Sequence, residues 1–471
     1  MGKFINLVKN EYIKLMLKVS TWVMLVILLI ASVGLPVMAL IGQKQYESYS
    51  SDDSNIIESY QSEINYLKDV KTEGWEKEVE LNQYLIDNNI VGDWRNEAAR
   101  TMFELKYSAA EYGITDYETI VSSIDSAIKD SNWKDYFQTA ISLSEKSDTI
   151  IDKSSGTLEL YKYCLDNSIA PYEKNWKYEV AVQLESSKAQ LTTLEEQKAS
   201  GQSVDASEME NLREQCKKYE YRLDNNIDFD ISENNNWMDG KFNFWSVFCT
   251  STSLVTFIGV IVIIAAGGIV SGEFSSGTIK FLMINPVKRW KILVSKYFTA
   301  LTFGYLAMIA AYIVSALASM TFFGADHLNA AFISVSGDTV KEISGFLYAA
   351  KLYLLNSVEL IVMGSLAFAI SSLFRSSALA IGISVMALFG GSTITLMLGQ
   401  LQFDWGRYLI FSNLDISAIA EGNSMFAGQT VPFALAVIAV HMVIFLLTAW
   451  DGFNKSCLLY TSPSPRDAHE S

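Results

Sequence analysis

Six apolar runs constrain this chain more than any other feature: Thr21–Ile41, Trp245–Val270, Tyr297–Phe323, Leu352–Phe374, Ala378–Gly399 and Pro432–Trp450. A helix of about 20 apolar residues covers the ~30 Å hydrocarbon core of a bilayer and satisfies its own backbone groups. The expected fold class is therefore an all-α integral membrane protein with six transmembrane helices. The first run is long, ends in "LPVMALIGQ" and lacks a small-residue cleavage site, so it reads as a span and not as a cleaved signal peptide.

The formal charge of −16 conceals two unlike parts. Between Gln43 and Phe242 stand 40 acidic and 21 basic residues, whereas the remainder holds 12 and 15. The chain thus divides into 1–42 with the first span, an acidic insert over 43–242, and 243–456 with the other five spans. An insert of net charge −19 argues against nucleic acid as a partner, because phosphates are neutralised by Lys and Arg.

Lysine and arginine near span ends set orientation. Lys3, Lys9, Lys14 and Lys18 precede the first span. Lys280, Lys288, Arg289, Lys291 and Lys296 fall between or beside the second and third, Arg375 between the fourth and fifth, and Lys455 after the sixth. These place the N-terminus and C-terminus in the cytosol of a cell membrane, with 43–242, 325–351 and 400–431 outside. Lys341, Lys351 and Arg407 oppose the bias but are fewer. The stretch "KFINLVKNEYIKLMLK" mixes apolar and basic residues. It suits either a helix lying among lipid headgroups or a simple extension of the first span.

The insert is rich in Glu, Lys, Gln, Leu and Tyr, and Pro171 is its lone proline, which favours helix. Met209, Leu212, Cys216, Tyr219 and Leu223 step by three and four, a coiled-coil-like seam. Val180, Leu184, Leu191 and Leu194 form a matching upstream seam across the turn "ASGQSVDAS". The expectation is an antiparallel helical hairpin whose second helix is capped by Ser207 with Glu210. Another seam, Ile57, Tyr60, Ile64 and Leu67, is expected to pack near it. Trp75, Trp94, Trp133 and Trp176 read as core or as a ligand groove. Cys164 and Cys216 could be bridged in an oxidising exterior, or be two small buried residues.

No C-x-x-C pair occurs among the four cysteines, and there are three histidines, so no zinc or iron–sulfur site is expected. The insert has no histidine, which excludes a Ser-His-Asp or Cys-His set there. No Walker A pattern occurs, so the chain itself is not expected to hydrolyse ATP or to carry a cofactor. Ionisable groups within spans are functional candidates. Glu359 lies near the end of the fourth span and could simply reach the wet interface. His441 lies nearer mid-membrane and reads as an interhelical hydrogen bond or a proton relay. The 400–431 segment, with "FDWGRYLIFSNLDISAI", is too apolar for a plain loop and reads as a partly re-entrant element.

The segment 272–291 begins the stretch "GEFSSGTIKFLMINPVKRWKILVSKY", which runs on into the third span. With the topology, this stretch resembles that of the type-2 ABC exporter permeases, the transmembrane subunits of ATP-binding-cassette transporters. An acid, Gly-Thr, an apolar stretch, Pro-Val, a base and a lysine entering the next span correspond to Glu273, Gly277, Thr278, Pro286, Val287, Arg289 and Lys296. "GSLAFAISSLFRSSALA" is similar to that family's turn between spans four and five. The resemblance covers about 270 residues and leaves the insert unexplained. It implies a coupling element that docks on a separate cytosolic ATPase holding ATP and Mg. It also implies pairing with a second, identical or sister, permease, and export. Gly277 permits a sharp exit from the second span, and Pro286 with Asn285 as N-cap would start the next helix. An ordinary positive-inside loop accounts for the lysines but not for the acid, Gly-Thr and Pro-Val together. The alternatives are a permease-like sensor or resistance module, or a non-transporting envelope scaffold, binding a ligand through the insert.

Residues 457–471 break with what precedes them. "CLLYTSPSPRD" resembles the in-frame translation of a transposase adapter used in sequencing libraries, so this tail is set aside as non-native.

Overall fold

Each apolar run is helical in the computed structural model, which describes residues 2–50, 53–146, 156–172, 174–234, 242–278, 287–374, 376–420 and 423–461. Helix α1 (Gly2–Met16) is followed by α2 (Val19–Ser50). The second run forms α11 (Phe244–Thr250) and α12 (Leu254–Ser275), joined by a 3-10 turn at Ser251–Ser253. Then come α13 (Arg289–Phe323), α14 (Gly345–Phe374), α15 (Ser377–Gln400), the short α16 (Ile416–Ala420) and α17 (Val431–Thr461). Among the described residues, six helical stretches, beginning at Val19, Phe244, Arg289, Gly345, Ser377 and Val431, are long and apolar enough to cross a membrane. The chain is an all-α membrane protein.

Of the two readings of the N-terminal stretch, the structure has a separate helix. α1 stops at Met16, and Thr21 Oγ1 and Trp22 Nε1 donate to the Leu15 and Met16 carbonyls at 2.7 and 2.8 Å. Side chains of α2 thereby satisfy carbonyls that a helix end leaves free. α1 packs on α13, with Tyr12 donating to Thr302 at 2.6 Å.

Two compact units result: a bundle of Met1–Gly42, Glu233–Asn329 and Ser344–Ser471, and an insert unit of Gln43–Ser232 with Ala330–Ile343. In the bundle, α12 and α14 are central, 67% buried over their apolar windows against 11–33% for the other four stretches. Small residues bring them together, as expected where no hydrophobic drive separates helix from lipid. A Cβ on Gly304 would stand 2.3 Å from Val262, and one on Gly364 2.8 Å from the same side chain. Val262 of α12 is therefore seated against glycines of α13 and α14.

The insert unit is a succession of helices, each packed on the next: α3 (Asp53–Val70), α4 (Trp75–Asp87), α5 (Trp94–Ser108), α6 (Tyr117–Lys129), α7 (Trp133–Lys146), α8 (Thr157–Asp166), α9 (Trp176–Ala199) and α10 (Ala206–Asp224). Its core runs through Trp94, Tyr136, Phe137 and Tyr161, with Phe137 and Tyr161 stacked at 4.1 Å. Trp94 and Trp133 are core, whereas Trp75 and Trp176 are half-buried, with Lys71 and Lys177 over their rings. Each of the four opens a helix.

The hairpin α9–α10 forms on the expected seam, with Val180, Leu184, Met209, Leu212 and Cys216 buried. Leu191 and Leu194 are only half-buried. The cap differs: α10 starts at Ala206, so Ser207 lies inside its first turn. The Ile64 and Leu67 seam packs on α4, its sequence neighbour. Cys164 and Cys216 are both free and buried, so the bridged alternative gives way to the buried one. Burial pushes the Cys164 thiol up to about 12.

One element was not expected. Residues 330–343 contribute a two-stranded sheet, β1 (Ala331–Ser336) and β2 (Thr339–Ser344), to the insert unit. Gly337, at φ +57°, makes the two-residue turn. Lys217 donates to the Gly337 carbonyl at 2.8 Å and pairs with Asp338 at 2.7 Å, and Tyr221 donates to Glu342 at 2.9 Å. Asp230, fully buried, pairs with Lys218 and accepts from the Ile333 amide.

Candidate functional site

α12 unwinds where the sequence reading placed its exit. The Ser276 and Gly277 amides donate back to the Gly272 and Phe274 carbonyls at 3.0 and 3.2 Å. Gly277 has φ +71°, a left-handed conformation that glycine adopts without steric cost. Thr278 Oγ1 turns back to donate to the Glu273 carboxylate. Pro286 and the proposed Asn285 cap lie outside the described residues, as does Arg375. Val287 packs on the bundle core, Lys288 is exposed, and Arg289 begins α13 half-buried.

Glu273 and Lys296, assigned by resemblance to a docking surface, are 6% and 0% exposed. Lys296 Nζ sits 3.0 Å from Glu273, 2.8 Å from Glu11 and 3.2 Å from the Ile269 carbonyl. Lys14 reaches Glu273 at 2.6 Å and Glu11 at 3.6 Å. Burial draws the Lys14 ammonium down, but its bonds to Glu273 and Glu11 outweigh that and hold its pKa raised. Two carboxylates and two ammonium groups thus form a neutral cluster that joins α1, α12 and α13. Lys296 lies on the side of α13 turned to α12, where it meets Glu273 and the Ile269 carbonyl. A side chain with no exposure cannot itself meet a partner, so these two residues hold the segment's flanks. Glu11 escaped the sequence reading, since nothing local marks a residue whose partner is 285 positions away. Beside the cluster is a cavity of about 310 Å³ lined by Glu11, Lys14, Lys18, Glu273 and Thr278.

A second polar site lies toward the other end of α12, about 25 Å away by helical rise from Thr256 to Glu273. It is a cavity of about 620 Å³ between the early turns of α12, the middle of α14, the second half of α15, and residues 411–419 and 423–425. Glu359 lines it and accepts from Thr256 Oγ1 at 2.8 Å. Ser417 Oγ stands 2.8 Å from Asp415 and 3.0 Å from Asn356, bridging two further lining residues. Sequence reasoning found Glu359 but not Asp415, Asn356 or Thr256, which become notable only when the helices meet. His441 does not line this cavity. Its Nδ1 lies 2.9 Å from the Val437 carbonyl of the same helix, an intrahelical contact where an interhelical one was expected.

Residues 403–420 fold against the bundle as short helical turns. Ile410, Leu414, Ile416 and Ile419 enter the core, and Phe411 lies so close to Gly391 that a Cβ there would meet it at 2.4 Å. Asn413 donates to the Arg407 and Leu409 carbonyls at 2.8 and 2.7 Å and fixes the path of the segment.

Fold and site together define a multi-pass helical membrane protein. The family described as "Protein of unknown function (DUF2705)" matches residues 223–456. The chain is 35% identical over 255 residues to "Uncharacterized protein YhcI" of Bacillus subtilis (strain 168), covering 53% of this chain and 78% of that one. It is 33% identical over 216 residues to "Uncharacterized membrane protein YdbK" of the same organism, covering 45% and 82%. The chain belongs to the same family as these two proteins. No solved structure matches it.

Proposed function

We propose that this chain is the permease subunit of an ATP-binding-cassette exporter in the cell membrane. It would pair with itself or a sister permease and be driven by two cytosolic ATPases that hold ATP and Mg. α1 and the segment between α12 and α13 would face the cytosol, and the insert unit the exterior. The observation that carries this reading is the buried cluster of Glu11, Lys14, Glu273 and Lys296, which ties both helices flanking that segment to α1. A force on the segment would then reach three helices together, as a permease without its own nucleotide site requires. The number of crossings draws support from the insert unit, which unites loops separated by two of them. Such loops must emerge on one face of a bilayer.

Partner contact would fall to the exposed Lys288 and the half-buried Arg289, not to Glu273. Affinity purification of the tagged chain from its own membranes is expected to retain an ATPase subunit. Lys288→Glu with Arg289→Glu should reduce that recovery about tenfold or more, with chain yield unchanged, as charge reversal at an interface costs several kcal/mol. Equal ATPase recovery from the double variant, or none from the unaltered chain, would overturn the assignment.

A further inference from the structure

We propose that the 620 Å³ cavity beside Glu359 is a binding site for an apolar organic cation. The inference deepens the proposed function, on which it rests only for calling the bound molecule a substrate.

Among the described residues, two carboxylates, Glu359 and Asp415, line the cavity, and no Lys, Arg or His does so. Glu359 finds a hydroxyl donor in Thr256 but, among the described residues, no cationic partner within ion-pair distance. An acid placed within an apolar bundle without a counter-charge is costly and marks a functional position. Contrast the cluster at the far end of α12, where each buried carboxylate meets an ammonium group of the chain itself. Asp415 is exposed and accepts from Ser417 Oγ and the Ala418 amide at 2.8 and 2.9 Å, so the half-buried Glu359 is the acid that a bound cation would pair with.

Independent of the acids, Thr395 points to a ligand. It lines the cavity, is 4% exposed, and its hydroxyl has no hydrogen-bond partner among the described residues. A buried hydroxyl left unsatisfied is expensive, and a bound molecule in the cavity would relieve it. Phe389 and Phe411 also line the space, and aromatic side chains attract cations. The volume lies within the few-hundred to thousand Å³ range of small-molecule sites.

The test is saturable binding of radiolabelled tetraphenylphosphonium to the purified full chain in detergent, read by scintillation proximity, with ethidium as a second cation. Binding is expected for both cations, with displacement by unlabelled tetraphenylphosphonium and not by tetraphenylborate, its anionic counterpart of matching shape. Glu359→Gln should weaken binding by about tenfold, and Glu359→Gln with Asp415→Asn by more, as loss of one or two charge pairs implies. Thr395→Val keeps the side-chain volume and removes no bond within the protein, so it should fold normally and still bind less tightly. Absence of saturable binding by both cations would overturn the proposal. So would binding unchanged in the double variant, or equal displacement by tetraphenylborate. No ATPase takes part, so cation binding can fail while ATPase recovery stands, and the reverse.

Discussion

Lys296 carries a charge into a site with no exposure, and the cluster around it is neutral only as a set of four. Removing one partner of a buried ion pair leaves an uncompensated charge and costs about 3–5 kcal/mol. Lys296→Met is therefore expected to lower the thermal stability of the purified chain by an amount of that order. Adding Glu11→Gln restores neutrality, so the double variant should lose less than the sum of the two single losses. Additive losses would mean that Glu11 and Lys296 do not interact. Glu273 and Lys296 were visible in the sequence as members of a motif, but their burial was not. A motif records residue type and spacing, whereas burial depends on α1 returning to pack on α13. Gly277 was legible in full, because a positive φ at a helix exit is a local property.

Elements differed in how openly the sequence displayed them. The six apolar helices could be read from length and hydropathy alone, since a spanning helix needs no periodic pattern. The break between α1 and α2 could not, because the lysines around Leu17 and Lys18 suit a continuous helix equally well. The strand pair β1–β2 was missed although Gly-Asp stands between two short alternating stretches, a recognised hairpin signal. Its position between two long apolar runs made it read as a loop. Within the insert, Gly156 enters α8 at φ +77°, and a Cβ there would meet the Glu185 carbonyl at 2.5 Å. Gly156→Ala is expected to destabilise the α8–α9 contact by about 1–3 kcal/mol from backbone strain alone. Chemical denaturation followed by tryptophan fluorescence should show a lower midpoint, and an unchanged midpoint would contradict that packing.

At the scale of the whole molecule, charge partition found the insert but not its full membership. The count over 43–242 marks one acidic region, whereas the unit is built from 43–232 and a return from 330–343. Composition is additive along the chain and cannot report that a distant strand pair completes a fold. The same limit hid the cavity, whose lining comes from three long helices and residues 411–419 and 423–425. What the proposed function requires is contact between the exposed start of α13 and a nucleotide-binding chain. The most direct measurement is photo-crosslinking in intact membranes with p-benzoylphenylalanine in place of Lys288. The account predicts an adduct with an ATPase subunit, lost when the photoreactive residue is moved to the buried side of α13 at Ile292. Adducts to lipid alone, or an equal ATPase adduct from position 292, would contradict it.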